Sequence, residues 1–222
     1  MLERIPTGVA GLDVLIDDGI PKGSTVLVSG DCDFSKFYFC SEFLYRAKDS
    51  SILYSFEKDE QEFLRINSLF NWDLQEKIKA NSLHVIKSEL YQFESFLSNV
   101  EDILDKYSPE RFVLDSFTLL GFFFDTDYRR RKALLDFKRV IQKANTTAFV
   151  LSDTTSPDKI STFGIEEFVL DGVFQFISLM KGSTLIRGLL IRKLINSNND
   201  LSIHPVEIRK TGLKIHRLRE LF

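Results

Sequence analysis

Thr25-Val26-Leu27-Val28-Ser29 runs directly into Gly30-Asp31-Cys32-Asp33-Phe34-Ser35-Lys36-Phe37, and a helical pattern follows. An apolar strand, a polar turn opening on glycine and a lysine at a helix start form the setting of a phosphate loop, G-x-x-x-x-G-K-[ST]. Gly30 and Lys36 stand at the right separation, but Ser35 replaces the second glycine and Phe37 the hydroxyl residue. The glycines of such a loop let backbone N–H groups curl round a phosphate with no Cβ in the way. The hydroxyl ligates Mg²⁺, which phenylalanine cannot do. Asp33 adds a negative charge where an anion is normally wrapped. Taken alone, with two matches of four, the stretch reads more readily as a polar turn between strand and helix.

The surroundings widen the reading. Residues 52–56, 83–86, 112–115 and 148–152 are short, mostly apolar runs, as strands covered on both faces are. Amphipathic helices lie between them. Phe93, Phe96, Leu97, Val100, Ile103 and Leu104 fall at helical spacing, and a second helix is predicted over about 128–144. After Gly172 the pattern changes to consecutive strands over 173–179, 185–194 and 201–208. Turns fall at 181–183 and 196–199, and a short last strand covers 213–216. The expectation is an α/β fold with a mostly parallel central sheet that ends in an antiparallel meander.

A chain of 222 residues can bury one large core, and no linker or internal repeat divides it, so one domain is expected over 1–222. The net charge of -3 excludes a generic polyanion binder; a nucleic-acid role would need a local basic patch. No apolar run approaches the roughly 20 residues of a membrane span. Glu3-Arg4 stands where a signal sequence would have an apolar core, so a cytoplasmic protein is expected. Cys32 and Cys40 fit no zinc or redox spacing and read as reduced thiols. His84, His204 and His216 are too scattered to suggest a metal site.

Arg4-Ile5-Pro6-Thr7-Gly8-Val9-Ala10-Gly11-Leu12-Asp13, then Asp18-Gly19-Ile20-Pro21-Lys22-Gly23-Ser24, precede the loop. Leu53-Tyr54-Ser55-Phe56-Glu57, Phe70-Asn71-Trp72-Asp73-Leu74, Phe112-Val113-Leu114-Asp115-Ser116, Gly164-Ile165-Glu166-Glu167-Phe168 with Asp171-Gly172, and Pro205-Val206-Glu207-Ile208 with Gly212-Leu213 follow in order. Together, over almost the whole chain, these resemble the KaiC family, an archaeal and bacterial branch of the RecA-type P-loop ATPases. The resemblance implies a RecA-like fold and a nucleotide site at Gly30, Asp33, Ser35, Lys36, Phe37 and Asp115. It makes Asp115 the Walker B aspartate, which holds Mg²⁺ through water, and Glu57 the candidate general base. Read from their own surroundings, Asp115 ends an apolar run at the ligand edge of the sheet, which favours the site over a helix or turn cap, and Glu57 could be a surface carboxylate capping the helix that follows.

Several positions depart from the family. Lys58 stands where a second carboxylate is common, and a cation there makes Glu57 a poorer base. Lys193 matches a basic residue that reaches a neighbouring subunit's nucleotide, but the arginine of that run is Ile195 and its glycine Asn196. The implied protein is a regulatory or scaffolding subunit with a degraded site. It would bind ATP weakly and lack a secure Mg²⁺ site, in a homo-oligomer or beside an active paralogue. A slow ATPase and a DNA-binding recombinase paralogue are the alternatives. The last rests on Arg129, Arg130, Arg131 and Lys132, which follow an aromatic stretch at a helix start, where cations oppose the helix dipole. They read either as a partner or nucleic-acid surface or as a basic face paired with Asp125, Asp127 and Asp136.

Overall fold

The structure is a computed structural model that describes residues 2–89, 95–156 and 159–217. The chain opens with a small ribbon, β1 (Arg4–Ile5) against β2 (Ile20–Pro21). The main elements follow as β3 (Thr25–Gly30), α1 (Ser35–Tyr45), β4 (Ser51–Ser55), α2 (Glu60–Ile66), α3 (Leu74–Lys79), β5 (Leu83–Lys87), α4 (Phe96–Tyr107), β6 (Arg111–Asp115), α5 (Phe117–Phe122), α6 (Asp127–Lys143), β7 (Thr147–Asp153), α7 (Glu166–Val169), β8 (Gly172–Lys181), β9 (Thr184–Leu194), β10 (Ile203–Arg209) and β11 (Gly212–Ile215).

Nine strands form one sheet in the order β11-β10-β9-β8-β3-β7-β6-β4-β5. Strands β8, β3, β7, β6, β4 and β5 pair in parallel, and β8 to β11 pair antiparallel. The apolar runs of β3, β4, β6 and β7 are buried on both faces. Side chains alternate across a strand, so each run feeds two cores. Val26, Val28, Leu53, Val113 and Phe149 pack with α1 on one side. Leu27, Ile52, Tyr54, Phe112, Leu114 and Val150 pack with α4 and α6 on the other. Burying such side chains contributes about 25 cal/mol per Å² of apolar surface, which makes this double layer the main source of stability.

The expected α/β architecture is present, with shifts at element ends. Phe56 lies just beyond β4, β10 starts two residues later than the apolar pattern suggests, and β11 ends at Ile215. The helix expected to include Phe93 is described from Phe96; Phe93 lies outside the described residues. In α6, Thr126 provides the N-cap, its hydroxyl accepting the Arg129 N–H.

Candidate nucleotide site

Four strand ends converge at the carboxyl edge of the parallel sheet, where ligands bind in open α/β folds. Gly30 ends β3, Ser55 ends β4, Asp115 ends β6 and Asp153 ends β7. A cavity of about 160 Å³ opens there, lined by Asp33, Lys36, Phe37, Glu57, Lys58, Asp115 and Asp153 among others. The structure thus brings the sequence-derived candidates of the loop together with Glu57 and Asp115.

Their charges are already engaged. The Lys36 ammonium reaches Asp153 Oδ1 at 3.1 Å and donates to the carbonyls of Gly30 and Asp31. Asp33 folds back on the helix start. Its Oδ1 accepts the Ser35 backbone N–H at 2.9 Å, and its Oδ2 accepts the Ser35 hydroxyl at 2.8 Å and Arg187 Nε at 2.7 Å. Asp115 is buried, and its Oδ2 accepts from the Ser55 hydroxyl at 2.9 Å and from Lys58 Nζ at 3.0 Å. Lys58 Nζ also bonds Glu57 Oε2 at 3.2 Å and lies 4.9 Å from the centroid of the buried Phe37 ring, within the range of a cation–π contact. Burial pushes the Asp115 carboxyl above its ordinary range, and the Lys58 ammonium and Ser55 hydroxyl pull it back. Burial also opposes charge on Lys58, but Asp115 and Glu57 outweigh it and raise the lysine above its usual value. The carboxyl and the ammonium thus lean on each other: the Lys58 contact opposes the effect of burial on Asp115, and Asp115 does the same for Lys58.

This arrangement does not fit a magnesium nucleotide. One metal anchor of a phosphate loop is a phenylalanine packed against Phe63, and the other, Asp115, already holds an ammonium. Asp33 occupies the helix terminus that would face a phosphate. Gly30 remains glycine for a reason of its own. A Cβ there would lie 3.0 Å from both the Cβ and the carbonyl oxygen of Phe176 on β8.

Other candidates lie elsewhere. Glu57 does not cap α2; Asp59 does, accepting from Glu62 N. Lys193 donates to the Leu170 carbonyl at 2.7 Å, near the start of β3 and so on the opposite edge of the sheet from the cleft. Burial lowers its pKa. Arg192 lies on the same face, because the register of β8 and β9 shifts between Val173 and Phe174, and its Nε donates to the Gln175 side chain. At α6, Arg129 pairs with Asp125, Arg130 with Asp127 and Lys132 with Asp136, while Arg131 is exposed. Arg130 also donates to the Gly121 carbonyl and lies over Phe163.

Sequence reasoning missed Asp153 and Arg187. A signal existed for Asp153, the residue after an apolar run expected to end at the same edge. None existed for Arg187, which meets Asp33 from 154 positions away.

A P-loop strand beside parallel strands, with one strand between it and the strand ending at Asp115, and an antiparallel meander at the far end, define a RecA-type P-loop domain. The family described as "ATPase: KaiC" matches residues 5–220, and the chain belongs to it. Among curated relatives, the circadian clock oscillator protein KaiC of Parathermosynechococcus lividus is 26% identical over 96% of this chain and 42% of its own length. The protein of that name from Thermosynechococcus vestitus is also 26% identical, over 98% of this chain and 45% of its own. The chain therefore spans less than half the length of these relatives. A crystal structure of a KaiC-like protein from the hyperthermophilic archaeon Pyrococcus horikoshii OT3 matches the fold with a TM-score of 0.88. It is 24% identical and covers 98% of this chain and all of that one.

Proposed function

We propose that this chain is a regulatory or scaffolding member of the KaiC ATPase family that does not carry out magnesium-dependent ATP hydrolysis. The observation that supports the reading is the placement of Lys58, whose ammonium lies 3.0 Å from Asp115 Oδ2 and 4.9 Å from the Phe37 centroid. A cation carried by the chain thus lies against both positions, 37 and 115, that would have to organise the metal. Glu57, the candidate base, bonds the same ammonium. ATP binding is expected to be weak and to depend on Lys36 more than on metal. The likeness to KaiC proteins favours a homo-oligomer or assembly with an active paralogue. With Arg129, Arg130 and Lys132 each paired to a carboxylate, that helix start offers less to a nucleic acid.

The deciding measurement is steady-state phosphate release with and without Mg²⁺. The expected result is no magnesium-dependent release above the protein-free rate. Release that requires Mg²⁺ and disappears in Asp115→Asn would overturn the proposal.

A further inference from the structure

We propose that Asp33 is an intramolecular stand-in for a phosphate, and that Arg187 on β9 holds it at the start of α1. This rests on the reading of the site just given and identifies what occupies its anion position. A helix N-terminus presents unpaired N–H groups and a partial positive charge, which together favour an anion. Here that anion is a side chain. The Asp33 carboxylate uses one oxygen for the Ser35 N–H, at 2.9 Å, and the other for the Ser35 hydroxyl, at 2.8 Å. Ser35 replaces a glycine of the phosphate-loop pattern, and its side chain gives the carboxylate a second contact that glycine could not.

Two further observations point the same way. Arg187 Nε donates to the same carboxylate at 2.7 Å, a charge-assisted bond of the kind that holds phosphates in arginine sites. The β8–β9 hairpin thereby tethers the loop from outside. Lys36, the other cation a phosphate would meet, is pinned to Asp153 at 3.1 Å and to two loop carbonyls. The cavity between these groups is lined by four carboxylates, those of Asp33, Glu57, Asp115 and Asp153, and two lysines, Lys36 and Lys58. That balance repels a further polyanion. A free phosphate must displace Asp33 and also outcompete Asp153 for Lys36.

The test uses inorganic triphosphate in chelator, without any metal, so that it reads the anion position and not catalysis. Isothermal calorimetry on the parent should show weak binding or none. Asp33→Gly should gain at least tenfold in affinity, and Arg187→Gln, which only loosens the carboxylate, a smaller gain. A folded Asp33→Gly variant that binds no tighter than the parent would overturn the proposal. Should Asp33→Gly fail to fold, Asp33→Asn keeps an acceptor for the Ser35 N–H but removes the charge. It should still gain several-fold, and no gain would again overturn the proposal. Hydrogen exchange at amides 33–36 should quicken in Arg187→Gln; unchanged exchange would remove Arg187 from its role. Magnesium-dependent hydrolysis by the parent would sink the functional proposal separately, since none of these measurements involves metal or turnover.

Discussion

Two charged clusters drew attention in the sequence, and they have opposite characters in the fold. At the carboxyl edge of the sheet, Lys58 joins a buried aspartate 57 positions away, and its side chain is only 16% exposed. At the start of α6, the cations pair with carboxylates three or four residues away on a solvent-facing surface. The first pair required two desolvated groups to find each other across the fold, so losing one partner strands the other. The second set is local, screened and replaceable. Charge density along a sequence therefore says little; burial of the partner decides which cluster matters.

The sharpest way to break the contrast is Lys58→Met. It leaves Asp115 buried beside Phe37 without a cation, a loss of a kind that costs several kcal/mol when both partners are fully buried. Because Lys58 retains some solvent contact, a destabilisation of about 2 kcal/mol at pH 7 is expected, measured by urea denaturation. A Lys58→Met loss below about 0.5 kcal/mol, the range of ordinary surface changes, would erase the distinction between the two clusters.

Restoring the loop should give the next largest effect. The triple variant Phe37→Thr, Ser35→Gly, Asp33→Gly removes the loop's own anion and returns a hydroxyl to the metal position. Its ATP affinity in Mg²⁺ should rise by about one decade, roughly 1.4 kcal/mol, by calorimetry. No gain would mean that Lys58 alone closes the site.

The pH dependence sharpens the comparison further. Burial raises the folded pKa of Asp115, and without Lys58 nothing on that ammonium's side offsets it. A carboxyl whose folded pKa is raised favours the folded state below its unfolded pKa and loses that advantage as pH rises through the folded value. The Lys58→Met deficit should therefore shrink as pH falls toward 4 and grow toward 7. For Lys58 in the parent, the raised pKa places its contribution below the ordinary lysine value of 10.5, with loss at more alkaline pH. Urea midpoints for both proteins from pH 4 to beyond pH 10.5 would test the two signs together.

The smallest effect should come from α6. Replacing Arg129, Arg131 and Lys132 with serine should change stability by no more than about 0.5 kcal/mol. Arg130 is left in place because it also bonds Gly121 and covers Phe163. Unfolding of this variant in the same assay would show that the surface pairs carry weight after all.

Much of this was legible beforehand, for physical reasons that differ by region. The strands of the parallel sheet announce themselves because both their faces are buried, so the middle of each of β3, β4, β6 and β7 is an unbroken run of three or four apolar residues. The carboxylate partners of the α6 cations were also readable, since helical spacing of three and four is local. The β1–β2 ribbon was not, because two-residue strands carry no period. The contacts that close the site lay further out of reach. Lys58 was recognisable as a misplaced cation beside Glu57, but its bond to Asp115 depends on β4 and β6 lying side by side, which no local pattern encodes. The loss of the hydroxyl at Phe37 and the gain of a cation at Lys58 concern the same metal, and pairing those two departures was the clue available.

Gly30 carries a different lesson, about inheritance. Of the loop's two motif glycines it is the one that survives, and its neighbour across the sheet is the backbone of Phe176, 3.0 Å from where a side chain would begin. Selection on architecture alone would keep it long after selection on ligand binding had lapsed. In a deep mutational scan read out by folding, position 30 should be intolerant while positions 33 and 35 vary. A fragment of a motif can thus be a fossil preserved by its neighbours, and its persistence dates the fold rather than the activity.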